Sequence, residues 1–185
     1  TRFHKDPVLL RTFTSIAERS DEVFVQSPYI IFSERMLETF PEYETLDITV
    51  LTNSLDNGSN LFAKSGYIRY RDEINAHSTL YEYQGETTIH AKTMTFDDRI
   101  SVIGSFNLDP RSASLSTESA IVVVSEDFKD ALDETIEQYL NQSLEVDDEG
   151  EYIERPGITA HPPDSEKRRK IRFRAFFTRF FDAML

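Results

Sequence analysis

Four polar side chains of types that handle phosphate groups lie close together in the sequence. His90 and Lys92 are separated by one residue, and so are Ser105 and Asn107. Residues two apart in a β-strand project from the same face, so each pair can act as a unit. Imidazole supplies a nucleophile or a general acid, ammonium supplies a positive charge, and the hydroxyl and carboxamide supply neutral hydrogen bonds. This set of residues predicts a site for chemistry at phosphorus.

A β-hairpin is the element that would bring the two pairs together. The pattern predicts two strands joined by a turn at Asp97, and they cover residues 88–96 and 100–103. Gly104 follows the second strand and would allow close backbone approach. Glu118 begins a later strand and could accept a hydrogen bond from the second imidazole nitrogen of the site histidine. The alternative for Glu118 is a strand-edge carboxylate without that role.

The rest of the chain alternates between helical and extended patterns. Helices are predicted at residues 6–19, 32–40, 61–76 and 126–140, and further strands at 22–26, 47–51, 80–83 and 118–124. Alternation predicts an α/β layered domain, and the hairpin makes its sheet mixed rather than purely parallel. Residues 121–124 are apolar on both faces, so we expect this strand at the centre of the sheet.

The composition restricts the classes of function. The 185 residues include 33 acidic and 20 basic side chains, which gives a net charge of −13. That balance argues against general nucleic-acid binding, which needs positive charge to offset phosphates. The absence of cysteine excludes disulfides, thiolate nucleophiles and Cys-ligated metal sites. No apolar run in the sequence approaches the ~20 residues needed to span a bilayer.

The charge is unevenly distributed along the chain. Residues 1–166 have a net charge of −19, whereas residues 167–185 have a net charge of +6. We therefore expect three parts: a domain over residues 1–144, an acidic Gly/Pro-rich linker or strap over 145–165, and a basic aromatic helix over 166–185.

The last helix has two interpretations. From Phe173 onwards, phenylalanines recur at the i, i+3, i+4 and i+7 positions, with lysines and arginines before and between them. Basic residues with an aromatic stripe suit an anionic membrane surface, at about 1 kcal/mol for each well-placed Lys or Arg. Alternatively, the stripe docks on the chain's own core and the basic run faces its acidic body. The two interpretations are compatible with each other.

The polar residues also follow a known spacing. The pattern resembles the HKD signature of the phospholipase D superfamily, His90-x-Lys92-x4-Asp97-x6-Gly104-Ser105-x-Asn107, with Ser112 and Glu118 extending it downstream. Six positions at fixed spacing make a chance match improbable.

Three further segments are similar to the C-terminal halves of bacterial cardiolipin synthases. They are residues 27–29 (SPY), 52–54 (TNS) and 65–70 (SGYIRY). The tyrosines and arginine of the last segment could line an entrance for a lipid phosphate, or they could simply pack a helix. The resemblance as a whole covers about residues 20–140.

The resemblance implies an enzyme whose active site combines two HKD motifs and needs neither a cofactor nor a metal. One histidine attacks phosphorus and forms a phosphohistidine, while the other protonates the leaving alcohol. His90 would be the nucleophile or, as in the second motif of bilobed members, the acid/base. Glu118 would orient it, and Asp97 is the motif aspartate, whose place at the turn indicates a structural role. The implied phosphate-binding residues are Lys92, Ser105 and Asn107.

The implied activity is phosphatidyl transfer of the cardiolipin synthase type, in phospholipid biosynthesis, at the bacterial cytoplasmic membrane as a peripheral protein. Its partners would be a phospholipid substrate and an anionic membrane surface. The alternatives are a phospholipase D-type hydrolase, a phosphodiesterase or nuclease of the same superfamily, and a catalytically silent interaction domain. The net charge of −13 counts against the nuclease.

Only one HKD motif is present in the sequence. The string His4-Lys5-Asp6 lacks the required residue between His and Lys and the gap before Asp. We therefore expect either the C-terminal half of a longer two-motif enzyme or a homodimer that completes the site. The start at Thr1 rather than Met favours the first expectation.

Overall fold

The computed structural model describes residues 6–33, 36, 46–57, 60–160, 166, 169–171 and 173. The strands are β1 (Glu22–Gln26), β2 (Asp47–Asn53), β3 (Thr79–Tyr83), β4 (Thr93–Phe96), β5 (Ile100–Gly104), β6 (Ala120–Val124) and β7 (Ser143–Glu145). The helices are α1 (Val8–Ala17), α2 (Leu61–Ala76), α3 (Pro110–Ser114) and α4 (Glu126–Leu140). The predicted helix at residues 32–40 lies almost entirely outside the described residues.

The strands form one seven-stranded sheet in the order β6-β5-β4-β1-β2-β3-β7. β1, β2 and β3 are mutually parallel, whereas β4, β5 and β6 pair with their neighbours in antiparallel fashion, as does β7 with β3. β4 and β5 are the two arms of the predicted hairpin. The prediction of a mixed sheet is therefore confirmed.

Helices cover both faces of this sheet. Val25 of β1 belongs to a core that also contains Phe13 of α1. Phe24 points to the opposite face, because side chains alternate along a strand. There it packs against a cluster around Leu51, which Tyr139 of α4 also joins. The predicted layered α/β fold is thus confirmed.

Strand direction brings several chain segments to one edge of the sheet. β1 and β2 end there, at Gln26 and Asn53. β4 runs antiparallel to β1 with Thr93 beside Gln26, so the residues before β4 lie at the same edge. β5 returns to it and ends at Gly104, which pairs with Ala120 at the start of β6. We call this the carboxyl edge, because the parallel strands end there.

The expectation that residues 121–124 lie at the sheet's centre is wrong. β6 is the outermost strand, and in the described part of the chain it pairs with β5 alone. Ile121, Val122 and Val124 are 69%, 48% and 60% exposed. An apolar run indicates that a surface must be covered, but it does not say whether the cover comes from the same chain.

The predicted first strand of the hairpin is shorter than expected. β4 begins at Thr93 rather than at residue 88, and residues 88–92 belong to no strand. The backbone groups of Ile89 pair with the side chain of Asn53 instead of a neighbouring strand. A side chain has replaced a strand as the hydrogen-bonding partner at this point.

Glu82 of β3 is fully buried, and donors from two other segments surround its carboxylate. The Tyr67 hydroxyl and Arg71 Nε of α2 both donate to Oε1 at 2.6 Å. The Tyr152 hydroxyl donates to Oε2. Burial, together with the charge of Glu82, raises the pKa of both tyrosines well above its usual range. Both hydroxyls therefore stay protonated and keep donating.

The acidic segment expected as a linker or strap packs against the domain. β7 reaches into it at Glu145, and Val146 is buried and bridges to Tyr152. Arg71 of α2 donates to the carbonyl of Gly150 at 2.8 Å, and Asn75 donates to that of Asp147 at 2.7 Å. Backbone and side-chain contacts thus hold residues 146–152 on the sheet and on α2.

Most of the basic C-terminal segment, including nearly all of its aromatic stripe, lies outside the described residues. Residues 166, 169–171 and 173 are helical, and Ile171 is fully buried. Lys170 pairs with Glu166 at 2.6 Å, one helical turn away. Among the described residues, no helix is both long enough and apolar enough to cross a bilayer.

Asp97 lies at the edge of the sheet opposite the carboxyl edge and ties the hairpin to the start of β1. Its Oδ1 accepts hydrogen bonds from the backbone amides of Asp21 and Glu22 at 2.8 and 3.1 Å. Its φ angle is +50°, in the left-handed region that asparagine and aspartate tolerate better than most other non-glycine residues.

We therefore expect Asp97→Ala to lower the free energy of unfolding by about 2 kcal/mol, from two lost hydrogen bonds and an unfavourable φ. Asp97→Asn keeps both the acceptor and the tolerated φ, so it should lose less than half as much. Urea unfolding of the two variants measures the difference. Equal losses would show that the hydrogen bonds to β1 contribute nothing specific.

Candidate functional site

His90 and Lys92 meet at the carboxyl edge, although neither residue lies in the strand that their spacing predicts. Lys92 Nζ lies 3.1 Å from His90 Nδ1 and donates a hydrogen bond to the His90 carbonyl at 2.7 Å. The imidazole is exposed and therefore accessible to a ligand. Partial burial lowers the pKa of Lys92, and the charges of Glu118 and Asp109 oppose that shift. The pair combines a nitrogen nucleophile or acid with an adjacent cationic group.

Ser105 and Glu118 form the second part of the site. Ser105 directly follows β5, and Glu118 lies two residues before β6. The Ser105 hydroxyl donates to Glu118 Oε2 and accepts from the Ser119 amide at 3.1 Å. The Ser112 hydroxyl donates to Glu118 Oε1 at 3.2 Å. Each carboxylate oxygen therefore has a hydroxyl partner. The expected contact between Glu118 and His90 stays a prediction.

Asn107 joins this network through Ser112. Its backbone amide and its Nδ2 both approach the Ser112 hydroxyl, at 3.3 and 3.4 Å. Its Oδ1 is buried and has no hydrogen-bond partner among the described residues. The structure thus links Ser105, Asn107 and Glu118 through Ser112, whereas Asp97 lies at the far edge of the sheet.

Gly104 is needed where β5 meets the segment before β6. A Cβ atom at this position would lie 2.2 Å from the carbonyl oxygen of Ser119. No side chain fits at that distance, so the two backbones can approach only because residue 104 is glycine. This approach places Ser105 within reach of Ser119 and Glu118 and confirms the predicted close backbone contact.

Asp109, two residues after Asn107, is the N-cap residue of α3. Its carboxylate caps α3 by accepting from the Ser112 amide at 2.6 Å. Burial raises the pKa of Asp109 to about 6, although the hydrogen bonds with Ser112 oppose the shift. Within the described ranges, no group of three or more His, Asp or Glu side chains is placed to hold a metal ion.

A cavity of about 170 Å³ opens beside His90. Its lining includes Asn53, Lys64 and Tyr67, and the Lys64 ammonium donates to the Leu55 carbonyl at 2.5 Å. Sequence reasoning noted residues 52–54 only as part of a resemblance and did not assign Asn53 or Lys64 to the site. The sequence signal for Asn53 is its position two residues after the strand predicted at 47–51.

Comparison with known proteins identifies the family of this chain. A family model described as "Cardiolipin synthase, PLD-like domain" matches residues 13–140. Cardiolipin synthase C of Escherichia coli is 35% identical over 104 residues, which cover 46% of this chain and 22% of that protein. The chain spans between 22% and 30% of the length of such curated relatives.

Two solved structures share the fold. Phosphatidylserine synthase of Haemophilus influenzae superimposes with a TM-score of 0.64 at 15% identity, covering 96% of this chain and 45% of that one. Nuc, a phospholipase D family member from Salmonella typhimurium, superimposes with a TM-score of 0.59 at 16% identity, covering 75% of this chain and 88% of that one. The family match at residues 13–140 includes the whole motif from His90 to Glu118. The chain belongs to the phospholipase D superfamily and contains a PLD-like domain of the cardiolipin synthase type.

Proposed function

We propose that this chain supplies half of the active site of a phosphatidyltransferase of the cardiolipin synthase type. The observation that carries the proposal is the 3.1 Å approach of Lys92 Nζ to His90 Nδ1 at an exposed edge. A phosphoryl group attacked by an imidazole must place its oxygens close to that ring. An ammonium group beside the ring would stabilise the negative charge that gathers on those oxygens.

The proposed cycle consists of two displacements at phosphorus. In the first, a histidine nitrogen attacks, the bond from phosphorus to the first alcohol breaks, and a second histidine gives that alcohol its proton. In the second, the neutral second histidine removes the proton of the incoming alcohol. The alcohol oxygen then attacks phosphorus while the phosphorus–nitrogen bond breaks. His90 takes one of these two roles, and a second motif supplies the other histidine.

Ser105 and Asn107 would bind the non-bridging phosphate oxygens, with Glu118 orienting His90. Within the described part of the chain, the Nδ2 of Asn107 has only a long 3.4 Å contact with Ser112, which a phosphate oxygen could replace. The Ser105 hydroxyl can turn from Glu118 to a phosphate, and this would release a carboxylate oxygen for the imidazole. The observed network is thus compatible with the roles that the motif implies.

The charge distribution favours a lipid headgroup over a nucleic acid. The net charge is −13, and the positive charge described at the site comes from Lys92 and, in the adjoining cavity, Lys64. A small phosphodiester needs only this local charge, whereas a long polyanion would run across an acidic surface. With a glycerol-type alcohol as acceptor the reaction is transfer, and with water it is hydrolysis.

We expect His90→Ala, in the protein that contains both motifs, to lower phosphatidyl transfer from phosphatidylglycerol more than about 1000-fold. His77→Ala is the matched control, because His77 is exposed at the end of α2 and away from the motif. Product formation on phosphatidylglycerol vesicles measures both. Activity retained by the His90 variant would refute the assigned role.

We propose that β6 contacts the second motif half, either a second copy of this chain or another part of a longer one. The strand is an unpaired edge in the described part of the chain, has no charged residue, and is exposed at Ile121, Val122 and Val124. Exposed apolar edges are typical of surfaces that pair with another chain. β6 also pairs with β5, which ends beside Ser105, so a partner on β6 would lie next to the site.

We therefore expect Ile121→Lys to weaken this contact and to lower transfer activity at least tenfold, as a buried unpaired charge costs several kcal/mol. Ile153→Lys is the control, because Ile153 is 47% exposed and its amide donates to the carbonyl of Glu145 in β7, at the other edge of the sheet from β6. Light scattering of the chain alone would detect any dimer and its loss in the Ile121 variant. Identical behaviour of the two variants would exclude β6 as the contact.

We also propose that residues 166–185 hold the protein at an anionic membrane surface. The support is the charge of +6 in the last 19 residues.

Because Ile171 is buried, charge reversal disturbs the fold less than truncation would. Arg174→Glu with Arg179→Glu should reduce flotation with phosphatidylglycerol liposomes, at about 1 kcal/mol for each charge removed. Arg99→Glu, at an exposed position in the hairpin turn, is the control and should not reduce flotation. Equal flotation of all variants would refute the proposal.

A further inference from the structure

The chain just before His90 is held by one side chain rather than by the sheet. Ile89 precedes the histidine and belongs to no strand, so its amide and carbonyl need other partners. The carboxamide of Asn53 supplies both. Its Oδ1 accepts from the Ile89 amide at 2.8 Å, and its Nδ2 donates to the Ile89 carbonyl at 3.0 Å. The Ile89 side chain is buried, so this residue is fixed through backbone and side chain.

The same carboxamide reaches a second segment of the site. Asn53 Nδ2 also lies 3.4 Å from the carbonyl oxygen of Pro28, in the loop that follows β1. In that loop the Ser27 hydroxyl accepts from the Leu108 amide at 3.3 Å, and Leu108 in turn accepts from the Ile31 amide at 2.9 Å. Leu108 adjoins Asn107. Asn53 therefore links the backbone before His90 to the backbone after the other polar pair.

A second contact strengthens this link. The Thr52 hydroxyl, beside Asn53, donates to the Ser27 carbonyl at 2.8 Å, and both residues are buried. The ends of β1 and β2 are thus joined by side chains from two successive residues. This arrangement gives a physical reason for the TNS and SPY segments, which the motif itself leaves without a role.

We propose that Asn53 is a positioning residue for the reaction, because its carboxamide sets the height and direction of His90 relative to Lys92 and Asn107. The inference rests on the proposed function, in which His90 reacts at phosphorus. Asn53 does not touch the reacting atoms in this role. It acts through Ile89, and a shift of about 1 Å in a reacting group can cost about 100-fold in rate.

The most informative variant is Asn53→Asp, which tests the amide donor of Asn53. It keeps the shape and the acceptor, but an ionised carboxylate would face the carbonyl oxygens of Ile89 and Pro28 in place of the amide donor. In the two-motif protein we expect kcat on phosphatidylglycerol to fall about 100-fold with little change in KM. The carbonyls and partial burial should raise the pKa of the new acid. Once protonated it can donate again, so its activity relative to wild type should recover as the pH is lowered.

Two matched variants separate positioning from general structure. Asn53→Ala removes the carboxamide, so it should show the same loss without recovery at low pH. Asn75→Asp replaces an amide that makes the same kind of bond, to the carbonyl of Asp147 just after β7, which lies at the edge of the sheet opposite β6. It should keep wild-type kcat. Equal losses in Asn53→Asp and Asn75→Asp, or an Asn53→Asp variant without recovery at low pH, would overturn the proposal.

A measurement without turnover distinguishes this proposal from the proposed function. The imidazole signals of His90 can be followed by NMR in the 185-residue chain, assigned with His90→Gln, with circular dichroism to check folding. We expect them to shift in both Asn53 variants and to stay in place in Asn75→Asp. Unchanged signals in folded Asn53→Ala would refute positioning whatever the activity. Shifted signals together with an active His90→Ala enzyme would refute the proposed function alone.

Discussion

A buried charge fixes the relation between the sheet, α2 and the acidic segment. Glu82 is fully enclosed in β3, and an isolated carboxylate there would be strongly unfavourable. Its stability depends on Arg71 and Tyr67 from α2 and on Tyr152 from the segment after β7. The three donors must therefore stay in contact with Glu82, and this requirement fixes the positions of α2 and of residues 146–152 against the sheet. β3 in turn pairs with β2, whose last residue is Asn53.

The direction of the strands explains why the polar residues meet. Residues that follow a parallel strand and residues that precede an antiparallel neighbour lie at the same edge of a sheet. β4 reverses direction beside β1, and β5 and β6 reverse again, so the segments at His90, Ser105 and Glu118 all come to the carboxyl edge. Asp97, at the other end of the hairpin, belongs by the same logic to the opposite edge, where its carboxylate has a purely structural set of partners.

The sequence predicts those parts of the site that depend on local rules. A period of two and a turn at Asp97 suffice for the hairpin, but His90 and Lys92 lie before its first strand, so their contact does not follow from strand geometry. The position of β6 could not be predicted, because the apolar residues Ile121–Val124 look the same whether their own chain or another covers them. The contact of Asn53 with Ile89 spans 36 residues, and no periodic pattern signals a side chain that replaces a strand. The hydroxyl donors to Glu118 do not follow from the sequence, in which the imidazole of His90 is the more obvious donor to this carboxylate.

The outer position of β6 has a consequence for folding in the cell. If the second motif half covers β6 as proposed, a half synthesised or released alone would expose an apolar strand that, among the described residues, pairs only with β5, and such an edge is a template for wrong association and aggregation. Joining two such halves by a covalent connection would give the correct neighbour a millimolar effective concentration, far above that of competing chains. Keeping two motifs in one polypeptide would then protect the protein during assembly as well as complete its chemistry.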